Sequence, residues 1–294
     1  MRYYQLEVDG EQRLGAEAEE GVLLDLTSVT PYVRTLLDLL AAASLAGMDA
    51  DEVAGRILGR GRPRRLALEE VAEATRRRRP GPRLGPPLRP PEVWAAGVTY
   101  ARSEAERRRE SGTPDVYTRV YHAQRPEVFF KATPERVVGP FDDGGVRGDS
   151  PWNVPEPELA LVLFGGRIVG YTIGDDLSSR AIEGENPLYL PQAKVYARCC
   201  VLGPGVASPA TVGDPHDLEV TLTVLRGEAT VFTGTTTTAS MVRRCDEIAE
   251  WLQRHNPVPD GTVVLTGTGI VPPPEFTLQA GDWCRIGIAR LGTL

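Results

Sequence analysis

The chain has 294 residues, of which 41% are hydrophobic and 25% are charged, a composition typical of a soluble globular protein with a sizeable core. The net charge of −7 argues against a general nucleic-acid binder, and no apolar run reaches membrane-spanning length. The start, MRYYQLEVDGE, is too polar for a signal peptide, and the four cysteines lack CxxC spacing. We therefore expect a reduced, cytoplasmic protein.

The first sixty residues predict short strands followed by two helices. Residues 1–30 alternate apolar and polar side chains between turn signals at Asp9-Gly10 and Glu20-Gly21, which indicates strands. A helix is predicted from Pro31 to about Gly47, because Thr30 can cap it and its leucines form an apolar stripe. A second, shorter helix is predicted from Asp49 to about Leu58.

A composition change divides the chain into two predicted domains. Arg76 to Pro91 (RRRRPGPRLGPPLRPP) is rich in Pro, Gly and Arg and has no periodicity, which is typical of a linker. We expect a small N-terminal α+β domain over residues 1–88 and a second, catalytic domain over residues 89–294.

Strands dominate after the linker, with few and short helices, and there is neither an internal repeat nor a βαβ rhythm. The predicted fold class is therefore α+β and β-rich. The predicted strands cover 93–100, 128–131, a hairpin over 157–173, 218–225, 229–233, 262–266 and 283–289. The predicted helices cover 101–111, 115–124 and 240–254, and a loop is predicted over 183–192.

The central hairpin carries the clearest chemical signal, in the sequence NVPEPELALVLFGGRIVGYTIGDD. Glu156 and Glu158 lie two residues apart at the start of a strand, so their side chains share one face. Gly165-Gly166 indicates the hairpin turn, and the second strand returns to Asp175-Asp176. Carboxylates held close together repel unless a cation lies between them. Oxygen ligands favour a hard divalent ion: Mg²⁺, Mn²⁺ or Ca²⁺.

The third ligand depends on the register of this hairpin, which the residues leave open. A two-residue turn pairs Phe164 with Arg167 and places Asp175 opposite Glu156. A three-residue turn places Asp176 there instead.

Lysine is rare in this chain: Lys131 and Lys194 are the only two among 33 basic residues. Arginine stays charged at ordinary pH, whereas lysine can act as a neutral amine when its environment lowers its pKa. Both lysines flank the acidic hairpin in sequence, so a role at its site is favoured over two exposed lysines. The turn Thr266-Gly267-Thr268-Gly269 offers hydroxyl and N–H groups to an anion such as a carboxylate.

Other catalytic patterns are missing from the sequence. There is no GxSxG, no Ser-His-Asp pattern and no phosphate-binding glycine loop in the required context. His122, His216 and His255 lack metal-ligand spacing, and we expect them to be structural or exposed.

Four motifs in order, PEPELALVL, GYTIGDDLSSR, QAK and LTGTG, resemble the catalytic domain of the fumarylacetoacetate hydrolase superfamily from about residue 90 to the end. The resemblance implies a mixed β-sandwich roll and a Mg²⁺ ion held by Glu156, Glu158 and Asp176. It therefore favours the three-residue turn. Members are commonly homodimers or larger assemblies, so we expect a homodimer or homotetramer.

Within the superfamily, RPEVFFKATPERVVG, SPWNVPEPELA and ENPLYLPQAKVYARCC are most similar to the branch that dehydrates 2-keto-3-deoxy sugar acids. Hydrolytic members carry N-Y-x-x-H-x-x-E after the first strand of this domain, with the histidine activating water. Ser103 stands at that position here, which favours elimination over hydrolysis. The resemblance implies catalytic roles for Lys194 and Glu127. The substrate-binding residues it suggests are Thr268, Lys131, Arg180 and Ser103.

The expected reaction is removal of water from an acid of the 2-keto-3-deoxy-D-arabinonate type, giving 2,5-dioxopentanoate in pentose breakdown. Chelation of the 2-keto acid by the cation makes the C3 proton acidic, Lys194 or Glu127 removes it, and the C4 hydroxyl leaves. One alternative is a C–C hydrolase or decarboxylase of an acylpyruvate-like or fumarylacetoacetate-like diketo acid. Another is a non-catalytic protein that binds a metal or a keto acid.

Overall fold

The structure is a computed structural model that describes residues 1–103, 109 and 114–294. The strands are β1 Arg2–Val8, β2 Glu11–Glu19, β3 Val22–Asp25, β4 Arg64–Ala67, β5 Arg83–Leu84, β6 Val93–Gly97, β7 Glu127–Ala132, β8 Val137–Val138, β9 Asn153–Val154, β10 Pro157–Phe164, β11 Arg167–Asp176, β12 Ser178–Ser179, β13 Cys200–Ala207, β14 Glu219–Arg226, β15 Ala229–Thr237, β16 Val263–Leu265, β17 Asp282–Ile288 and β18 Gly292–Thr293. The α-helices are α1 Leu36–Ala46, α2 Ala50–Leu58, α3 Leu68–Arg76, α4 Pro114–His122, α5 Arg180–Glu185, α6 Leu190–Lys194, α7 Pro209–Val212 and α8 Cys245–Gln253. Short 3₁₀ turns cover Leu26–Ser28, Pro134–Arg136, Pro187–Tyr189 and Thr238–Ser240.

One large mixed sheet runs through the molecule in the order β4-β3-β2-β1-β13-β11-β10-β16-β6-β7, with β5 beside β1 and β8 beside β13. The β16–β6 and β13–β8 pairs are parallel, and the other pairs along this path are antiparallel. A second sheet has the order β15-β14-β17-β18. The predicted α+β, β-rich class is confirmed.

Strand β10 lies at the centre of the molecule because both of its faces are buried. Ala160 and Val162 face a core shared with α1 and α2, while Leu159 and Leu161 face a core shared with the second sheet and α8. Alternating side chains of one strand thus join two hydrophobic layers, which explains why PELALVLF is apolar almost throughout. The two sheets pack as a sandwich, and the acidic residues at the start of β10 are held by this rigid centre.

The N-terminal strands add to the same large sheet. Strand β1 pairs with β13 through Arg2 opposite Ala207, and β5, from the predicted linker, pairs with β1 through Leu6 opposite Leu84. The division into domains at residue 88 stays a prediction. Among the described residues, no helix is both long and apolar enough to cross a membrane.

Two predicted helix starts are wrong, and capping explains both. Helix α1 begins at Leu36 because Thr35 and Asp38 form a reciprocal capping box, so Thr30 is not the cap. Helix α8 begins at Cys245, whose N–H donates to Nε2 of His216 at 3.3 Å. The residues before it instead pair with the segment after β6, since the Val242 N–H donates to the Thr99 carbonyl at 2.9 Å.

Other boundaries also differ from the predictions. The predicted loop over 183–192 holds the end of α5 and most of α6, and the strand predicted over 93–100 ends at Gly97. The helix predicted over 101–111 lies largely outside the described residues.

Candidate active site

The start of β10 and the end of β11 bring three carboxylates together. Glu156, Glu158 and Asp176 each offer a carboxylate oxygen within 4.8 Å of the others, and all three side chains are buried. Glu156 and Glu158 share a face because they lie two residues apart. The Asp176 N–H donates to the Glu156 carbonyl at 2.9 Å, which places these two residues opposite each other.

A β-bulge sets this register. The turn has two residues, since Phe164 pairs with Arg167, so the predicted three-residue turn is wrong. Leu163 pairs with Ile168 but Val162 pairs with Gly170, which leaves one extra residue, Val169, on β11. The bulge shifts the remaining pairs by one position and brings Asp176 into the cluster.

Asp175 has a different place. Its Oδ1 accepts a hydrogen bond from the backbone N–H of Glu156 at 2.8 Å. Burial raises the pKa of Asp175 to about 7, although this hydrogen bond opposes the shift. Asp175 therefore holds the backbone at the mouth of β10 while Asp176 faces the cluster.

Lys194, the last residue of α6, projects into the cluster. Its Nζ donates to Oε2 of Glu156 at 2.5 Å, to Oδ2 of Asp176 at 3.1 Å and to Oγ of Ser178 at 2.7 Å. The ring of Phe129 lies beside it, with the centroid 5.6 Å from Nζ. The ammonium thus contacts two of the three carboxylates.

Lys131 was expected to contact substrate, but its bonding is internal. Its Nζ contacts Oδ1 of Asp176 at 2.5 Å and donates to the carbonyls of Leu177 at 2.9 Å and Lys194 at 2.5 Å. The side chain is 0% exposed, and an ammonium has three N–H donors, all of which are used here. Burial opposes the charged form, but Asp176 and the neighbouring cysteines outweigh it and raise the pKa of Lys131. Lys131 therefore holds Asp176 and the backbone of Lys194 in place.

Arg180, the first residue of α5, contacts the cluster from the other side. Its Nη2 lies 3.0 Å from Oε1 of Glu156, and its Nη1 lies 3.6 Å from Oε2 of Glu183. Glu156 is consequently held by a cation at each carboxylate oxygen, Arg180 at Oε1 and Lys194 at Oε2.

Glu158 is bound by the turn after β16. The Gly267 N–H donates to Oε2 of Glu158 at 2.6 Å. Burial, followed by the charges of Asp176 and Glu156, raises the pKa of Glu158 well above its usual value. A carboxylate in this position is stabilised by an additional positive charge. A buried set of three oxygen donors fits a hard divalent cation in both charge and ligand type.

Strand β7 lines the site with alternate residues. Glu127, Phe129 and Lys131 share one face of this strand. The ring of Phe129 lies beside Lys194, and Lys131 pairs with Asp176. The carboxylate of Glu127 lies over Gly97 of β6, in space that the Cβ of any other residue would fill. Glu127 therefore lies on the same face of β7 as Phe129 and Lys131.

Two further expected residues, Thr268 and Ser103, are both buried. Thr268 follows Gly267 and is buried, and its hydroxyl accepts from the Ile270 N–H at 3.2 Å. Ser103 is buried just after the end of β6. Sequence reasoning missed Ser178 and Phe129, which contact Lys194. Ser178 had a signal, since it follows Asp176 by two residues within GDDLSSR.

Comparison with known proteins supports the resemblance of the motifs. The family model described as Fumarylacetoacetate (FAA) hydrolase C-terminal matches residues 92–294. A probable 2-keto-3-deoxyxylonate dehydratase of Haloferax volcanii is 50% identical over 294 residues, covering 100% of this chain and 98% of the relative. A 2-dehydro-3-deoxy-D-arabinonate dehydratase of Saccharolobus solfataricus is 45% identical over 218 residues, covering 72% of this chain and 73% of the relative.

A solved structure shows the same fold. The structure of 2-keto-3-deoxy-D-arabinonate dehydratase complexed with magnesium and 2,5-dioxopentanoate superposes with a TM-score of 0.84 and 34% identity. The match covers 100% of this chain and 97% of that one. The family model and the identity over the whole length lead to one conclusion: the chain belongs to the fumarylacetoacetate hydrolase family.

Proposed function

We propose that this protein is a Mg²⁺-dependent dehydratase that removes water from a 2-keto-3-deoxy pentonate to give 2,5-dioxopentanoate. The observation that carries the proposal is the buried cluster of Glu156, Glu158 and Asp176 with the Nζ of Lys194 bonded to two of its members. The named activities of the two relatives and of the solved structure support the same reaction.

The names of the two relatives point to one substrate. In a 2-keto-3-deoxy acid, C2 is a carbonyl and C3 is a methylene, so the stereocentres at which D-xylonate and D-arabinonate differ are gone. Both D acids therefore yield the same compound, whose single stereocentre is C4. The specificity of this site therefore depends on which configuration at C4 it accepts.

The three carboxylates are the residues that would hold the cation, through oxygen atoms alone, as Mg²⁺ prefers and as Mn²⁺ or Ca²⁺ also accept. When bound there, Mg²⁺ supplies a Lewis acid that polarises the 2-keto group and acidifies the protons on C3.

Lys194 and Glu127 carry the proton transfers. Lys194 is bonded to the cluster itself, so it is the nearer group to C3, next to the keto carbon, and it takes the C3 proton. Glu127 lies further along the face of β7 and protonates the departing C4 hydroxyl. The base role requires the neutral amine, and Glu156 and Asp176 stabilise the ammonium less once their charge is shared with a cation.

The atoms balance with the loss of one water. Removal of a C3 proton and the C4 hydroxyl leaves a C3–C4 double bond. Two proton shifts, from C5 to C3 and from the C5 hydroxyl to C4, then produce the aldehyde of 2,5-dioxopentanoate. Elimination of this kind uses no activated water, in agreement with Ser103 at the position of the hydrolytic histidine.

The other polar residues position these groups or the substrate. Lys131 holds Asp176 and the Lys194 carbonyl, and Arg180 holds Glu156, so we assign both to the framework of the site. Thr268 lies next to the turn that binds Glu158, and we assign its hydroxyl, with that of Ser103, to the polar groups of the substrate.

The test is turnover of two substrate types by purified protein. Metal-free protein is incubated with the D and L forms of 2-keto-3-deoxy pentonate, and separately with an acylpyruvate, each with and without Mg²⁺, and products are followed by NMR. We expect 2,5-dioxopentanoate from a 2-keto-3-deoxy pentonate only when Mg²⁺ is present. Cleavage of the acylpyruvate without dehydration would support the hydrolase or decarboxylase, and no turnover at all would support a binding protein.

The assignment of base and acid has its own test. In D₂O, a variant that retains the base but lacks the acid still exchanges the C3 hydrogens of the substrate. Glu127→Gln should therefore exchange C3 hydrogens faster than a protein-free control without forming product, whereas Lys194→Met should do neither. The reverse pattern would exchange the two roles.

We also propose that the protein assembles as a homodimer or homotetramer in the cytoplasm. Tyr32 and Leu45 expose apolar surface that a second subunit can cover, and the four cysteines are free thiols, as expected in a reducing compartment. Light scattering after size exclusion measures the assembly, and a monomer would contradict it.

A further inference from the structure

The end of β6 makes an unusual turn beside the carboxylate cluster. Val98 has a φ of 54°, in the left-handed region that β-branched residues rarely adopt. Strain of this kind persists only where the surrounding structure maintains it, and it is concentrated at functional sites. The next residue, Thr99, is 0% exposed. The turn therefore places a threonine hydroxyl inside the protein.

Thr99 binds one side of a peptide group whose other side binds Glu158. Its Oγ1 donates to the carbonyl of Thr266 at 2.7 Å. The N–H of that same peptide, which belongs to Gly267, donates to Oε2 of Glu158 at 2.6 Å. Since a peptide group is planar, fixing the direction of its carbonyl also fixes the direction of its N–H.

The turn is held against Thr99 by close packing as well. Gly267 has a φ of 89°, and a Cβ there would overlap Oγ1 of Thr99 and lie 3.1 Å from the carbonyl of Ala96. The preceding residue, Thr266, donates from both its N–H and its hydroxyl to the carbonyl of Leu159, at 3.0 and 2.8 Å. These contacts of Thr266 and Gly267 thus lead to the end of β6 and to the strand that carries Glu158.

We propose that Thr99 is a positioning residue of the metal centre, which sets the orientation of Glu158 through the Thr266–Gly267 peptide. The inference rests on the proposed metal-dependent function. Thr99 acts through this peptide, to whose carbonyl its hydroxyl donates. Its hydroxyl polarises and orients the peptide, and successive hydrogen bonds of this kind strengthen each other in a buried setting.

Loss of the hydroxyl frees the peptide to rotate and leaves the buried Thr266 carbonyl without this donor. Glu158 then loses an oriented N–H on one carboxylate oxygen. Removing a partner that orients a metal ligand typically costs about 10- to 100-fold in metal affinity. We expect that range for Mg²⁺, with kcat close to the wild-type value once Mg²⁺ is saturating, because the reacting groups are unchanged.

The experiment is a Mg²⁺ titration of metal-free full-length protein by calorimetry, repeated with Mn²⁺ by electron paramagnetic resonance. Thr99→Val removes the hydroxyl and keeps the shape, and Thr99→Ser keeps the hydroxyl. The matched control is Thr172→Val, since Thr172 is equally buried and its hydroxyl donates to the carbonyls of Gly203 and Gly205 at 3.2 and 2.8 Å. Thr99→Ala replaces Thr99→Val if the latter does not fold.

The expected result is weakened Mg²⁺ and Mn²⁺ binding in Thr99→Val, near-wild-type binding in Thr99→Ser, and unchanged affinity in Thr172→Val at a comparable loss of thermal stability. Wild-type affinity in folded Thr99→Val or Thr99→Ala would overturn the role of Thr99 while leaving the proposed function intact. A wild-type protein that binds neither ion would overturn the metal-dependent function and, with it, this inference.

Discussion

Replacing Lys131 with methionine should destabilise the metal-free protein severely. The ammonium is fully buried, pairs with Oδ1 of Asp176 at 2.5 Å and binds the carbonyls of Leu177 and Lys194. Methionine keeps most of the apolar stem but leaves a buried carboxylate with one cation fewer. Breaking a buried ion pair from one side costs about 3–5 kcal/mol. Against a typical stability of about 5–15 kcal/mol, that loss is large enough to measure accurately.

The same contacts predict that Mg²⁺ restores part of the lost stability. A ligand that binds only the folded state adds about 2.7 kcal/mol when its concentration is 100 times its dissociation constant. Because Asp176 is also a proposed cation ligand and loses a competing ammonium in Lys131→Met, the same concentration of Mg²⁺ should raise the free energy of unfolding of Lys131→Met at least as much as that of the wild type.

Urea denaturation followed by circular dichroism, with and without Mg²⁺, gives the free energies of unfolding. Arg65→Met is the matched control, because Arg65 pairs with Glu19 at 2.7 Å on the surface and its loss should leave the unfolding midpoint almost unchanged. A Lys131→Met protein within about 1 kcal/mol of the wild type would refute the reasoning, since a side chain with three buried partners cannot be that dispensable.

Three further predictions concern the proposed catalytic residues and the metal ligands. Lys194→Arg should retain Mg²⁺ binding in a calorimetric titration and lose turnover, because a guanidinium cannot serve as a neutral base; a fully active variant would exclude Lys194 as the base. Mg²⁺ binding should release protons and strengthen as pH rises, since the pKa of Glu158 is raised in the metal-free protein and its proton must leave before the ion binds. Calorimetric titrations in buffers of different ionisation enthalpy measure the number of protons released. Binding without proton release would contradict this prediction. Gly97→Ala should lower kcat without changing Mg²⁺ affinity, because the new Cβ displaces the Glu127 carboxylate. The control Gly55→Ala, in open space on α2, should leave kcat and Mg²⁺ affinity unchanged. Equal kcat values for Gly97→Ala and the wild type would show that Glu127 does not need this space.

Much of the site could be predicted from the two-residue periodicity of a strand. Glu156 and Glu158 are neighbours on one face as soon as their segment is a strand, which two-residue alternation and the apolar run after them predict. The position of the turn could also be predicted, because a Gly-Gly pair favours a hairpin turn. Gly165 and Gly166 indeed adopt positive φ, at 56° and 72°. Features that depend on a few adjacent residues could therefore be predicted from the sequence.

The bulge at Val169 could not be predicted. Whether a strand contains an extra residue depends on how it pairs with both of its neighbours. The neighbours of β11 are β10 and β13, and the sequence around Val169 does not reveal this pairing. The motif resemblance pointed to Asp176 but suggested the wrong cause, a longer turn. The structure reaches the same residue by a different geometry.

The contacts of Lys131 were hidden for a related reason. Its partners are one carboxylate and two backbone carbonyls that lie 46 and 63 residues away along the chain. Lysine scarcity marked it as exceptional, but only the three-dimensional arrangement shows that its donors are all directed inward. The Thr99 contact is equally remote, since it spans 167 residues.

The most direct measurement of the central claim is formation of 2,5-dioxopentanoate from 2-keto-3-deoxy-D-arabinonate by the wild-type protein and by Glu158→Gln, each titrated with Mg²⁺. The account predicts that wild-type turnover appears with Mg²⁺, disappears with a chelator and returns on resupply. Glu158→Gln should bind Mg²⁺ far more weakly and form product only at much higher concentrations of the ion, if at all. Equal turnover of both proteins, or turnover that persists in the presence of the chelator, would contradict a dehydratase built on these three carboxylates.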